Sequence, residues 1–189
     1  MKVNNNEIKI SKKRIDPYIV ETPLLRLRNL DEYLGCQVFA KVESMQNTGS
    51  FKIRGVMNKI LTLSNQELSN GVVTASSGNH GRALAYAAKS LGIKATVVIP
   101  NTAPKMKIDA IKSLGAEVIL SETKERFIVA EKIASERNAT MVHPFDDEQI
   151  ISGQGTIGIE IAKQEPNLDK IIVPVSGGGL ISGISVAVK

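Results

Sequence analysis

Cysteine occurs once in this chain of 189 residues, at Cys36, and histidine twice, at His80 and His143. A single thiol excludes an internal disulfide and a zinc cluster built from thiolates, and two imidazoles argue against a histidine-rich metal site. Long apolar runs are missing: a stretch such as Ile171–Val175 falls far short of the ~20 residues that a membrane-spanning helix needs. No charged-then-apolar leader opens the chain, because Met1–Asn6 is polar and lysines interrupt Ile8–Ile15. The expectation is a cytoplasmic protein with no membrane partner. Aromatic residues make up only 4% of the chain. The net charge of +5 would suit nucleic acid, but the densest basic run, Lys12-Lys13-Arg14, is short and has no interleaved aromatics. No nucleic-acid partner is expected, and attraction of small anions is the simpler use of the charge.

What is present is the composition of a soluble globular protein, 42% hydrophobic and 23% charged, with strands and helices in alternation. Apolar runs at Val72–Ala75, Ala95–Ile99, Val118–Leu120, Thr140–Val142 and Lys170–Val175 read as strands. Helical patterns at Arg82–Leu91, Pro104–Leu114 and Lys124–Arg137 separate most of them. That alternation predicts an α/β fold with mainly parallel, twisted sheets and flanking helices. Asp146–Ile151 and Thr156–Gln164 read as two helical pieces, and Leu180–Lys189 as an apolar helix with no closing signal, which suggests an incomplete protein.

Three stretches carry candidate chemistry. In Asn47–Gly55, Ser50 reads as the N-cap of a helix running to about Ser64, which puts Lys52 in its first turn. The partial positive charge there disfavours an ammonium and makes Lys52 a usable base or Schiff-base nucleophile, the alternative being a solvated lysine. Ser76-Ser77-Gly78-Asn79-His80-Gly81 lies between a strand and a helix, a setting suited to a carboxylate. Ser176-Gly177-Gly178-Gly179-Leu180 also joins a strand to a helix, and its three glycines let backbone N–H groups converge on a phosphate. Gly153-Gln154-Gly155-Thr156-Ile157-Gly158 fits a dinucleotide fingerprint literally but follows a helical pattern, so it reads as a helix start. Arg54 either binds an anion or solvates its helix. Arg126 reads as surface and His143 as structural.

In their order, these stretches closely resemble the fold-type II pyridoxal-phosphate (PLP) enzymes, which are tryptophan synthase beta-like in architecture, and within them the threonine/serine dehydratase and serine racemase branch. Ser50–Gly55 is similar to that branch's lysine motif, and Ser76–Gly81 to its substrate-carboxylate loop. Thr22-Pro23-Leu24, Val98-Ile99-Pro100, Met141-Val142-His143-Pro144 and Gly153-Gln154-Gly155-Thr156 fall where the branch has similar segments. The resemblance implies a Lys52 Schiff base with pyridoxal 5'-phosphate, Phe51 beside the cofactor, and Asn79 on the pyridine hydroxyl. It implies a phosphate held by Ser176, Gly177, Gly178, Gly179 and Leu180, and a substrate carboxylate held by Ser76, Asn79 and His80. Lys52 would move protons at Cα, and the products would be a 2-oxo acid and ammonia. Ser77, placed opposite Lys52, would open racemisation of serine as a second activity. The resemblance also implies two lobes, a small one of residues 71–146 inserted into an incomplete large one of residues 1–70 and 147–189, and a homo-oligomer, a dimer at full length. Relatives are much longer, so the residue facing the pyridine nitrogen and any divalent-cation site would lie beyond this chain. The alternative is a truncated, non-catalytic chain that binds PLP or another anion.

Overall fold

The structure, a computed structural model, describes residues 3–76 and 78–189. Its centre is a four-stranded parallel sheet in the order β5-β4-β3-β6, built from β3 (Val72–Ala75), β4 (Ala95–Pro100), β5 (Glu117–Ser121) and β6 (Thr140–Met141). Val72 pairs with Ala95 and Thr140, and Val97 with Val118. β3 and β4 are buried along their whole length, as expected for parallel strands covered on both faces. The period of two is visible in what each face meets. Val72, Val97 and Ile99 join the core formed with Ala83, Leu84 and Ala87 of helix α5 (Asn79–Leu91). Val73, Ala75 and Val98 turn the other way, onto Ala130, Ile133 and Ala134 of helix α7 (Arg126–Glu136). Helix α6 (Lys105–Lys112) completes the α5 side through Ile111. The fold class is therefore α/β, as the alternation of patterns predicts.

The larger core does not stop at α5. It continues into Ile53, Val56, Met57 and Ile60 of helix α3 (Lys52–Ile60) and Ile15 of helix α1 (Asn5–Ile15). A small antiparallel pair, β1 (Leu24–Arg26) with β2 (Phe39–Lys41), lies in this part of the chain, with helix α2 (Arg28–Leu34) between its strands. Helix α3 ends at Ile60, short of the predicted Ser64. Ser64 instead starts helix α4 (Asn65–Asn70) in a reciprocal capping box with Glu67, a Ser-x-x-Glu signal that was readable in the sequence. Ser50 does not cap α3. Phe51 occupies the N-cap position in helical geometry, and the Ser50 hydroxyl is buried with no partner among the described residues.

Two other expectations change. Residues 146–164 form not two pieces but one helix, α8 (Glu148–Gln164), capped by Asp147, whose carboxylate accepts from the N–H groups of Gln149 and Ile150 at 2.8 and 3.1 Å. Its glycines are sites of close helix approach rather than a start signal. A Cβ on Gly153 would stand 2.6 Å from the Cα of Gly55 on α3. A Cβ on Gly155 would stand 2.9 Å from the carbonyl of Gly183 in helix α9 (Gly179–Ala187). Residues 170–175, predicted as a strand, carry no ladder among the described residues, and Ile172 is 97% exposed. A strand exists only with a hydrogen-bonded neighbour, which an apolar run alone does not supply. No helix among the described residues is long and apolar enough to cross a membrane.

Alanine exceeds glycine in helix propensity by about 1 kcal/mol, yet Gly153→Ala is expected to destabilise the fold by about 2 kcal/mol, because its methyl meets the α3 backbone. Urea unfolding of the variant beside wild type measures this, and an unchanged or higher midpoint would contradict the close-approach account.

Candidate active site

Lys52 is the first residue of α3 and half-buried. Its ammonium donates to the carbonyl of Pro144 at 2.7 Å and lies 5.3 Å from the centre of the Phe51 ring. Burial lowers its pKa below the usual lysine value, since loss of hydration destabilises the charged ammonium relative to the neutral amine. The direction matches the expectation from the helix terminus, but the cause here is desolvation.

Lys52 and Phe51 line a cavity of about 290 Å³ together with Pro144, Phe145, Gln154 and the whole Ser176–Leu180 loop. The loop's glycines have distinct reasons. A Cβ on Gly177 would fall 2.3 Å from the Phe145 ring, so only glycine lets the backbone lie against that ring. Gly178 has φ +88°, a left-handed conformation that glycine adopts without strain. Helix α9 starts at Gly179. Its first N–H groups have no acceptor within the helix, and they present partial positive charge to whatever occupies the cavity. The arrangement is an amine of lowered pKa and a glycine loop at a helix N-terminus on one cavity.

Ser76 follows β3 at its C-terminal end, and of the predicted 76–81 turn Asn79, His80 and Gly81 already belong to the first turn of α5, whose N-cap is Gly78. Ser76, Asn79 and His80 do not line the Lys52 cavity. The Ser76 hydroxyl accepts from the N–H of Gly78 at 3.3 Å. Asn79 is exposed in a separate cleft beside Arg82 and Lys107. The His80 ring turns inward, 2% exposed, with Nε2 3.1 Å from the carbonyl of Val142. Any contribution of His80 to an anion in the turn would thus come from its backbone N–H. Ser77 lies outside the described residues.

Sequence reasoning marked Met141–Pro144 as a segment similar to the branch's and His143 as structural, but gave the segment no role toward Lys52. His143 stacks on Phe127 at 5.4 Å and meets the edge of Phe145 at 4.7 Å, and its Nδ1 accepts from the N–H of Asp146 at 2.8 Å. The signal was present in His143-Pro144, a turn pair directly after a strand, but nothing in it announced that the Pro144 carbonyl would hold Lys52.

Arg54 neither binds a ligand nor solvates its helix. It is fully buried, with its guanidinium gripped by both oxygens of Glu160 at 2.7 and 2.8 Å and both of Glu43 at 2.7 and 2.8 Å. Burial opposes its charge, but the two carboxylates outweigh this and raise its pKa. Burial likewise opposes the Glu160 charge, and Arg54 and Lys41 overcome it and lower its pKa. Lys41 reaches Glu160 at 2.6 Å, and Thr22 donates to Glu43 at 2.5 Å.

Residues 15–189 match the family described as pyridoxal-phosphate dependent enzyme. Serine racemase of Oryza sativa subsp. indica is 46% identical over 186 residues, which are 97% of this chain and 55% of that protein. The catabolic L-threonine dehydratase TdcB of Staphylococcus aureus (strain NCTC 8325 / PS 47) is 45% identical over 190 residues, 99% of this chain and 55% of that protein. The structure of maize serine racemase superposes with a TM-score of 0.96 at 42% identity, covering 100% of this chain and 58% of that one. The fold is that of the fold-type II PLP enzymes. The chain spans about half the length of the curated relatives it matches.

Two measurements check the site's electrostatics. Arg54→Met leaves Glu160 buried without its main partner and is expected to cost about 3–5 kcal/mol in denaturant unfolding. His80, whose pKa burial lowers to about 3, is neutral when folded and takes up a proton near pH 6.5 when unfolded. Its contribution is complete above pH 6.5 and is lost as the pH falls, by about 2 kcal/mol between pH 7 and pH 5. Unfolding at the two pH values should show that loss, and His80→Gln should remove most of it.

Proposed function

The chain belongs to the pyridoxal-phosphate dependent enzymes, and from that premise we propose that it carries the site of a dehydratase that converts L-threonine or L-serine to a 2-oxo acid and ammonia, with serine racemisation through Ser77 as a second activity. The observation that carries the reading is one cavity with Lys52 on its wall and the Ser176–Leu180 loop, leading into α9, beside it. That donor set fits the cofactor: an amine for the aldehyde, and N–H groups with a helix N-terminus for the phosphate. Lys52, Phe51, Ser176, Gly177, Gly178, Gly179 and Leu180, which line that cavity, would hold it, and Asn79, which lines a separate cleft, is assigned to it by the family resemblance alone. When bound, PLP supplies a sink for the electron pair released at Cα.

The chain's own groups account for the remainder. Ser76, Asn79 and the N–H groups of their turn, that of His80 included, would orient the substrate carboxylate at the start of α5. Lys52, less basic than an exposed lysine, takes the Cα proton and the β-hydroxyl leaves. The resulting enamine hydrolyses to the 2-oxo acid and ammonia. Ser77 would deliver a proton to the opposite face of Cα. The lobes belong to the same proposal, residues 71–146 small and residues 1–70 with 147–189 large. Support comes from the parallel sheet, all of whose strands lie between Val72 and Met141. A second reading, a non-catalytic chain that binds PLP or another anion, is compatible with a chain that covers 55% of the rice racemase.

Purified chain mixed with PLP is expected to turn yellow, with a band that borohydride bleaches, and to release pyruvate from L-serine, while Lys52→Ala stays colourless. A colourless wild type would refute the cofactor assignment. A yellow protein with no pyruvate or 2-oxobutanoate would leave the second reading standing.

A further inference from the structure

Val142 is held through both its N–H and its carbonyl. Its N–H donates to the carbonyl of Val73 at 2.8 Å, which extends the β3–β6 pairing by one residue. Its carbonyl accepts twice, from the Thr74 hydroxyl at 2.7 Å and from His80 Nε2 at 3.1 Å. Thr74 and Val142 are fully buried and His80 nearly so, so no water competes for these bonds. Two residues later the Pro144 carbonyl accepts from Lys52 at 2.7 Å, and Phe145 packs against Gly177. The segment is closed at its far end, where His143 Nδ1 accepts from Asp146 and Asp147 caps α8.

We propose that His80 is a positioning residue for Lys52: with Thr74 it fixes the Val142 carbonyl, and so sets the Pro144 carbonyl that receives the lysine and the Phe145 ring under the glycine loop.

The chemistry of the ring suits this role. A carbonyl can only accept, so Nε2 carries the proton and Nδ1 is bare, with no partner among the described residues. Burial keeps the ring neutral, so the donor stays on Nε2 across the ordinary pH range. The titratable groups that His80 senses are Lys52 and His143. A neutral ring beside Lys52 adds no repulsion to its ammonium, whereas an imidazolium would. His80 thus couples the 76–81 turn to the lysine without entering the cavity itself. The inference rests on Lys52 being the reactive amine, but not on the cofactor being present.

The test is the titration of Lys52 in the full chain without added PLP, read by trace acetylation between pH 7 and 11. The Lys52 peptide is quantified by mass spectrometry, with exposed Lys105 and Lys107 as internal references. The Pro144 carbonyl favours the ammonium over the amine, so weakening that bond lowers the midpoint. His80→Phe, which keeps a ring and removes the donor, is expected to move the Lys52 midpoint down by about 0.5–1 pH unit. His80→Gln, which restores a donor at similar reach, should return it close to wild type. Thr74→Val should shift it in the same direction as His80→Phe. A folded His80→Phe chain with an unchanged midpoint overturns the proposal, as does His80→Gln behaving like His80→Phe. If His80→Phe does not fold, Thr74→Val decides, and an unchanged midpoint there overturns it equally. Since no PLP is added, failure here is separate from failure of the cofactor reading, which a colourless PLP-treated wild type would show.

Discussion

A guanidinium with no exposure to water, locked between two carboxylates, sets the geometry around Lys52. Leaving Arg54 unpaired at that depth would cost several kcal/mol of desolvation, so the chain must deliver Glu43 and Glu160 to it together. Its fork of N–H donors accepts only a narrow set of arrangements. Glu160 comes from α8, Glu43 from the turn after β2, and Lys41 and Thr22 complete the cluster. Satisfying one side chain therefore fixes α3, α8 and the β1–β2 segment relative to one another.

The site follows from that fixation. Residues 52 and 54 are separated by about 200° around a helix, so turning Arg54 into the cluster turns Lys52 away from it, towards the cavity. The α3–α8 approach that the ion cluster demands is close enough to exclude a Cβ at Gly55 or Gly153. The far side of α8 meets α9 through Gly155 and Gly183, which places the glycine loop at the start of α9 on the same cavity as Lys52. Phe145 completes the space because Gly177 has no side chain to keep it away. A site of this kind depends on the packing behind its residues as well as on the residues that line it.

Much of this was legible in the sequence, and the failures have physical causes. Strands such as Val72–Ala75, and the glycine loop after residue 175, are local signals, carried by period, β-branching and turn chemistry. The lysine stood out because it fell near a helix start. Arg54 was not legible, since an arginine two residues into a helix looks the same whether it is solvated or buried, and its partners lie 11 and 106 positions away. The Gly153–Gly158 run was misread as a helix start because glycine is a poor helix former, and its compensation comes from another helix. Lys170–Val175 looked like a strand because apolar β-branched residues do, but pairing is not a property of a segment. The role of the Val142–Phe145 segment was invisible for the same reason: it acts through carbonyls, which every residue has.

Packing, not a motif, makes Lys52 the one amine among the described residues that shares a cavity with the glycine loop. The most direct test is to treat the folded chain with stoichiometric PLP, reduce with borohydride, digest, and map the added mass. The account predicts a phosphopyridoxyl group on the peptide containing Lys52 and essentially nowhere else, with the preference lost when the chain is unfolded before treatment. Label spread over exposed lysines such as Lys105 and Lys107, with Lys52 unmodified in the folded chain, would contradict it.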